Sequence, residues 1–155
     1  MRKNWAGAMI LALGVAVVGA GAGLAAGSAD DMINARQAEM KANGKAMKVL
    51  VSILKGETAY DNAAVQAAVK TITDARAAAD AAGAWDAASQ TGGTVKTEAK
   101  PEVWTDAAGF TAAWQNFDQA VAQLAASTDE ASFKAAFPAL GASCKGCHEK
   151  FRAAD

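Results

Sequence analysis

The two cysteines and the single histidine of this 155-residue chain lie within one run of five residues near its C-terminus, Cys144-Lys145-Gly146-Cys147-His148. Cys-x-x-Cys-His is the pattern to which c-type haem is attached. Each thiol adds across one vinyl group of the porphyrin, and the adjacent imidazole lies under the ring as the proximal iron ligand. A chain built around such a group must bring an apolar interior to its own C-terminal segment. Other uses of the run are weaker on their chemistry. A structural zinc site takes about four Cys or His ligands, and the chain offers three. A thioredoxin-like redox pair opens a helix after a strand, whereas this one lies in an alanine-rich helical segment. A disulfide across so short a gap closes a loop too small to constrain the unfolded chain.

The other end of the chain agrees with covalent haem. Met1-Arg2-Lys3 supplies a positive start, and no further charge follows until Asp30. Between them Trp5 to Leu13 reads as a hydrophobic core, followed by small-residue sites at Ala25-Ala26 and Ser28-Ala29. This is the pattern of a secretory signal peptide, expected over residues 1–29, with a mature domain over residues 30–155. The alternative is a retained anchor, because Trp5 to Ala26 spans about 22 residues and Gly19, Gly23 and Gly27 repeat at GxxxG spacing. Export implies the periplasm, since bacterial haem attachment takes place outside the cytoplasm. Without Arg2 and Lys3 the chain has 13 basic against 16 acidic residues, a balance that points away from nucleic acid.

Four helical segments account for nearly all of the mature chain. The first is expected from about Asp31 to Lys55, with Ile33, Arg36/Gln37, Met40, Met47, Leu50/Val51 and Leu54 at helical spacing and Gly56 as a stop. The second takes Asp61 as N-cap, aligns Val65, Val69 and Ile72, and ends at Gly83. The third follows Thr105 with Phe110, Trp114, Phe117, Val121 and Leu124 on one stripe. The fourth begins at a capping box in Ser127-Thr128-Asp129-Glu130 and aligns Phe133, Phe137, Leu140, Cys144, Cys147/His148 and Phe151. Pro138 removes a backbone donor there, so a kink or short break is expected near Phe137. The segment 84–103, with Gly92-Gly93 and Pro101, is the one long irregular connection. The simplest arrangement is all-α, an antiparallel up-down-up-down four-helix bundle. Cys144, Cys147 and His148 are i, i+3 and i+4 neighbours on the face that must be buried anyway, so one covalent haem c would sit inside the bundle.

Several runs match a known family. Arg36-Gln37 and Met40 lie in the first helix, Tyr60-Asp61 ends the turn after Gly56, Thr97 to Trp104 reads TEAKPEVW, and Gly141 to Arg152 reads GASCKGCHEKFR. Across the whole mature chain these runs resemble the class II c-type cytochromes, cytochrome c prime and the c-556 type, which carry the haem motif at the C-terminal end. The resemblance implies a non-enzymatic haem protein with Cys144 and Cys147 as covalent attachment points and His148 as proximal ligand. It places Arg36 and Gln37 at the haem edge, where a guanidinium pairs with a propionate. Thr97 and Glu98 match the loop that closes over that edge, and Arg152 matches a basic residue near the proximal face. A homodimer through the first two helices is typical of the family, as are periplasmic redox partners. Where the family has an aromatic-Gly-Pro-Gly-Thr run, this chain has Trp85-Asp86-Ala87-Ala88-Ser89.

Met40 matches the position facing the distal side of the iron, and two readings stay open there. As an apolar filler it would shield an open sixth site that admits nitric oxide or carbon monoxide. As a soft thioether it would be the sixth ligand of a low-spin, c-556-type electron carrier. Met47 shares its face and reads as core packing. A thiol-disulfide oxidoreductase using Cys144 and Cys147 is the reading from a different class.

Overall fold

The computed structural model describes residues 27–91 and 93–153. Four long helices carry the fold: α1 (Ala29–Leu54), α2 (Asn62–Ala81), α4 (Ala107–Ala125) and α5 (Glu130–Phe151). A single turn, α3 (Glu102–Thr105), and a 3-10 turn (Ala87–Ser89) punctuate the connection between α2 and α4. Short links join α1 to α2 and α4 to α5, and each of these pairs packs side by side, with α2 also meeting α4. The up-down-up-down bundle expected from the sequence is the observed fold.

The helix ends follow from local chemistry. After α1 and after α2 the chain turns through Gly56 (φ 72°) and Gly83 (φ 63°), a region closed to most side chains. Each glycine N–H bonds back to the carbonyl three residues earlier, and the next N–H reaches five residues back, Glu57 to Ser52 and Ala84 to Ala79. These paired bonds satisfy carbonyls that the helix leaves open. Asp61 caps α2 by accepting from the Ala63 N–H. Two expected starts are corrected. The first helix begins at Ala29, two residues early, because Ser28 and Asp31 cap each other reciprocally. The capping box of α5 is Asp129 with Ser132, not the run beginning at Ser127; Ser127 is instead buried, its hydroxyl donating to the Leu124 carbonyl. The break expected at Phe137 is absent, and α5 runs unbroken through Pro138. Pro138 is on the exposed face, as is Lys134, whose carbonyl loses its bond, so no buried acceptor is stranded. The expected signal segment lies outside the described residues up to residue 26. Among the described residues, no helix is long and apolar enough to cross a membrane.

Two apolar clusters fill the bundle. The larger joins all four long helices through Leu50, Ile53, Val65, Ile72, Leu124, Phe133 and Leu140, each at most 1 % exposed. Burying side chains of this size contributes about 1.5–3 kcal/mol apiece. The smaller is Val103, Phe110 and Phe151. The buried line of α1 runs through Met32, Ile33, Arg36, Glu39, Ala46, Leu50 and Ile53. The expected stripe is present, with Met40 and Met47 facing a cavity and Val51 and Leu54 packed on the core, and it is widened by Ile53 and by a buried glutamate.

Candidate haem site

Between the two clusters lies a cavity of about 800 Å³. Its walls are mainly apolar: Met40 and Met47 from α1, Trp85 from the connection, Phe110, Trp114 and Phe117 from α4, and Phe151 from α5. Cys144, Cys147 and His148 line it from α5, as their helical spacing predicts, and Lys41, Lys96 and Arg152 add positive charge to the lining. All nine site residues expected from the sequence, including Arg36, Gln37, Thr97 and Glu98, border this one cavity.

Burial pushes both thiols above their usual range. A thiol-disulfide catalyst needs the opposite, a thiol lowered toward thiolate by a helix N-terminus or a neighbouring cation. The motif lies in the last two turns of α5 and no β-strand is present among the described residues, so the oxidoreductase reading finds neither its electrostatics nor its fold. His148 is held below its ordinary value by burial first and by Arg152 second, with Glu98 opposing. A neutral imidazole is the form that binds iron.

Arg36 is 3 % exposed, and besides lining the cavity it binds the connection in a way the sequence did not show. Its Nη1 donates to the Ala84 carbonyl (2.9 Å) and the Ser89 hydroxyl (2.7 Å). Its Nη2 donates to the Ser89 carbonyl (3.0 Å) and the Thr97 hydroxyl (3.1 Å). The rings of Trp85 and Trp104 lie 5.6 and 5.5 Å from the guanidinium carbon. The four terminal N–H groups are thereby committed to the loop, and only Nε, buried and without a partner among the described residues, remains for another group. The replaced middle loop is thus organised by Arg36, with Ser89 fully buried as its main acceptor.

The loop over the cavity is tied down along its length. Gln37 Nε2 donates to the Lys96 carbonyl at 2.7 Å. Asp30 accepts from the Thr94 and Val95 N–H groups and the Thr94 hydroxyl at 2.7–2.8 Å. A Cβ on Gly93 would approach Asp30 Oδ1 to 2.5 Å, so a side chain there would have to push aside the carboxylate that ties the loop. On the other side Lys100 N donates to the Phe151 carbonyl, Ala153 N to the Glu98 carbonyl, and Arg152 Nε to Glu98 Oε2 at 2.6 Å. The loop is therefore zipped to the chain immediately beyond His148.

The backbone bond to Val95, the hydroxyl of Thr94 and its N–H hold the Asp30 carboxyl below its usual range. A carboxyl with a lowered folded-state value contributes stability above its unfolded value and loses it as pH falls through the folded one. Asp30→Ala is accordingly expected to lower the melting temperature at pH 7 and to lower it less as pH falls below the usual carboxylate range, as read by thermal denaturation over a pH series.

Among the residues that sequence reasoning missed, Asn43 and Trp85 line the cavity, while Glu39 and Ser89 are buried outside its lining. Asn43 was legible as the residue one turn beyond Met40, since i, i+3 neighbours share a face; it lines the cavity with its Oδ1 buried and unpartnered. Met32, near the start of α1, proves to be core at 2 % exposed.

A deep apolar pocket with two cysteines and a histidine on one wall and cations in its lining suits a flat apolar macrocycle bearing two carboxylates. A covalent haem on the inward face of the last helix of a four-helix bundle defines a class II c-type cytochrome. The chain belongs to the cytochrome c' family, whose model, "Cytochrome C'", matches residues 31–152. Cytochrome c' of Rhodopseudomonas palustris is 36 % identical over 148 residues, covering 90 % of this chain and 92 % of that protein. Cytochrome c-556 of Agrobacterium fabrum is 37 % identical over 138 residues, 86 % of each chain. Among solved structures, the nitric oxide complex of a mutant cytochrome c prime from Alcaligenes xylosoxidans superposes with a TM-score of 0.72 at 29 % identity, over 83 % of this chain and 98 % of that one. One covalently bound haem c is the cofactor of this family.

Proposed function

We propose that this chain is a periplasmic haem protein that carries electrons and binds small neutral gases, nitric oxide above all, at a five-coordinate iron, with no substrate turnover of its own. One observation carries the reading: Met40 and His148 line the same apolar cavity. His148 would hold the iron on one face, with Cys144 and Cys147 fixing the ring to α5. Met40 would close the other face with an apolar side chain that excludes water and anions while a diatomic gas displaces it. The haem supplies a one-electron centre and a gas-binding iron. Lys41, Lys96, Arg152 and the Arg36 Nε would meet its carboxylates, a role supported by their position in the cavity lining. Export precedes haem attachment, and cleavage after Ala26 preserves Ser28 as the cap of α1. A homodimer through α1 and α2 would cover Val49, which is 45 % exposed.

A second reading is favoured by the thioether itself: Met40 ligates the iron, as in a low-spin electron carrier of the c-556 type, a type to which several relatives belong. A ferric absorption and resonance spectrum decides between them. The open-site reading expects a high-spin iron with no methionine-to-iron charge-transfer band. It also expects Met40→Ala to raise the carbon monoxide association rate about tenfold, equivalent to about 1.4 kcal/mol off the barrier. A low-spin spectrum whose charge-transfer band disappears in Met40→Ala would establish the second reading instead.

A further inference from the structure

Glu39 is the most deeply buried charged side chain among the described residues, 1 % exposed, with neither carboxylate oxygen hydrogen-bonded. The groups facing it come from three elements. Arg76 of α2 is its cationic neighbour, Asp80 of α2 and Asp118 of α4 add negative charge, and the Trp85 indole lies beside it, short of hydrogen-bond geometry. Arg76 does not cancel this charge fully. Its guanidinium is bound to Asp80 at 2.7 Å, is 22 % exposed as a side chain, and stacks 3.8 Å from the Trp114 ring. Asp80 and Asp118 are themselves exposed and screened by water. Glu39 is shielded from water, and burial pushes its carboxyl up to about 7 against the pull of Arg76, so its charge is fully present only above that pH. Trp85 lies against Glu39 and is also a wall of the haem cavity, as is Trp114, on which the Arg76 guanidinium stacks.

We propose that Glu39 is a buried anion set behind the tryptophan wall that fixes the reduction potential of the haem. The proposal rests on the covalent-haem reading above. Ferric haem carries one more positive charge than ferrous haem, so a buried anion only partly offset by Arg76 stabilises the ferric state and lowers the potential. Burial is also why so costly a residue is informative: a carboxylate with no hydrogen bond destabilises the fold, and an apolar side chain of similar size would pack there at no such cost.

The test is spectroelectrochemistry of the holoprotein at pH 9, with haem content fixed beforehand by a pyridine haemochrome assay. Glu39→Gln is expected to raise the ferrous-to-ferric ratio at a set potential about tenfold, a shift of about 59 mV for one electron. Glu39→Leu should shift the same way, and it buries no polar atom, so the test survives if the glutamine variant folds poorly. An unchanged or lowered potential in both variants at full haem content overturns the proposal. So does a rise in only one of them, which would trace the effect to packing rather than charge. Absence of covalent haem in the parent protein would overturn the haem reading itself, a result the assay registers before any potential is measured.

Discussion

A Cys144→Ser/Cys147→Ser variant purified without haem is expected to lose the cooperative thermal transition of the holoprotein. The physical reason is the size of the space between the two apolar clusters, about 800 Å³. Cavities left in a core cost about 24 cal/mol per Å³, so even a quarter of this volume left empty costs about 5 kcal/mol. Whole domains of this size have only about 5–15 kcal/mol of net stability. The neighbours cannot close the gap cheaply. Of the five phenylalanines and four tryptophans in the chain, Phe110, Phe117, Phe151, Trp85 and Trp114 already form the wall, and much of what remains is alanine. Helical content should survive in part, because the capping of α1, α2 and α5 is local, while the near-ultraviolet signal of fixed aromatic packing should vanish. An apo variant that melts as sharply and as high as the holoprotein would show that the bundle, not the haem, specifies this packing.

The features legible in the sequence share one property: their causes are local. Gly56, Gly83 and Asp61 end or start helices through bonds to residues at most five positions away. The motif faces inward because three residues at helical spacing share the stripe of Phe133, Phe137 and Leu140. Glu39 was illegible for the opposite reason. Between Ala38 and Met40 it reads as a solvated helix position, and what makes it internal is α2, which brings Arg76 to it from 37 positions away in the chain. The role of Arg36 was hidden in the same way. The resemblance placed it correctly at the cavity, but its partners Ala84, Ser89 and Thr97 sit in a connection with no periodicity to read.

Arg36→Ala is therefore expected to destabilise the protein by about 3–5 kcal/mol, the range for breaking a buried charged network from one side. The substitution strands the Ser89 carbonyl in the interior, at about 1–3 kcal/mol when left without a donor, and leaves the Ala84 carbonyl only the longer bond from the Ser89 hydroxyl at 3.3 Å. It also removes a guanidinium packed between two tryptophan rings. Arg36→Lys should recover little. One ammonium keeps the charge, but it cannot reproduce a planar fork that serves Ala84, Ser89 and Thr97 together. Denaturant unfolding of the two holo variants measures the loss, and hydrogen exchange locates it. Faster exchange is expected in segment 84–97 while the buried turns of α4 and α5 stay protected. The same measurement separates this role from a propionate contact. A residue that served only the haem edge would leave the Ser89 and Ala84 region as protected as before, and would show its loss in the haem spectrum instead.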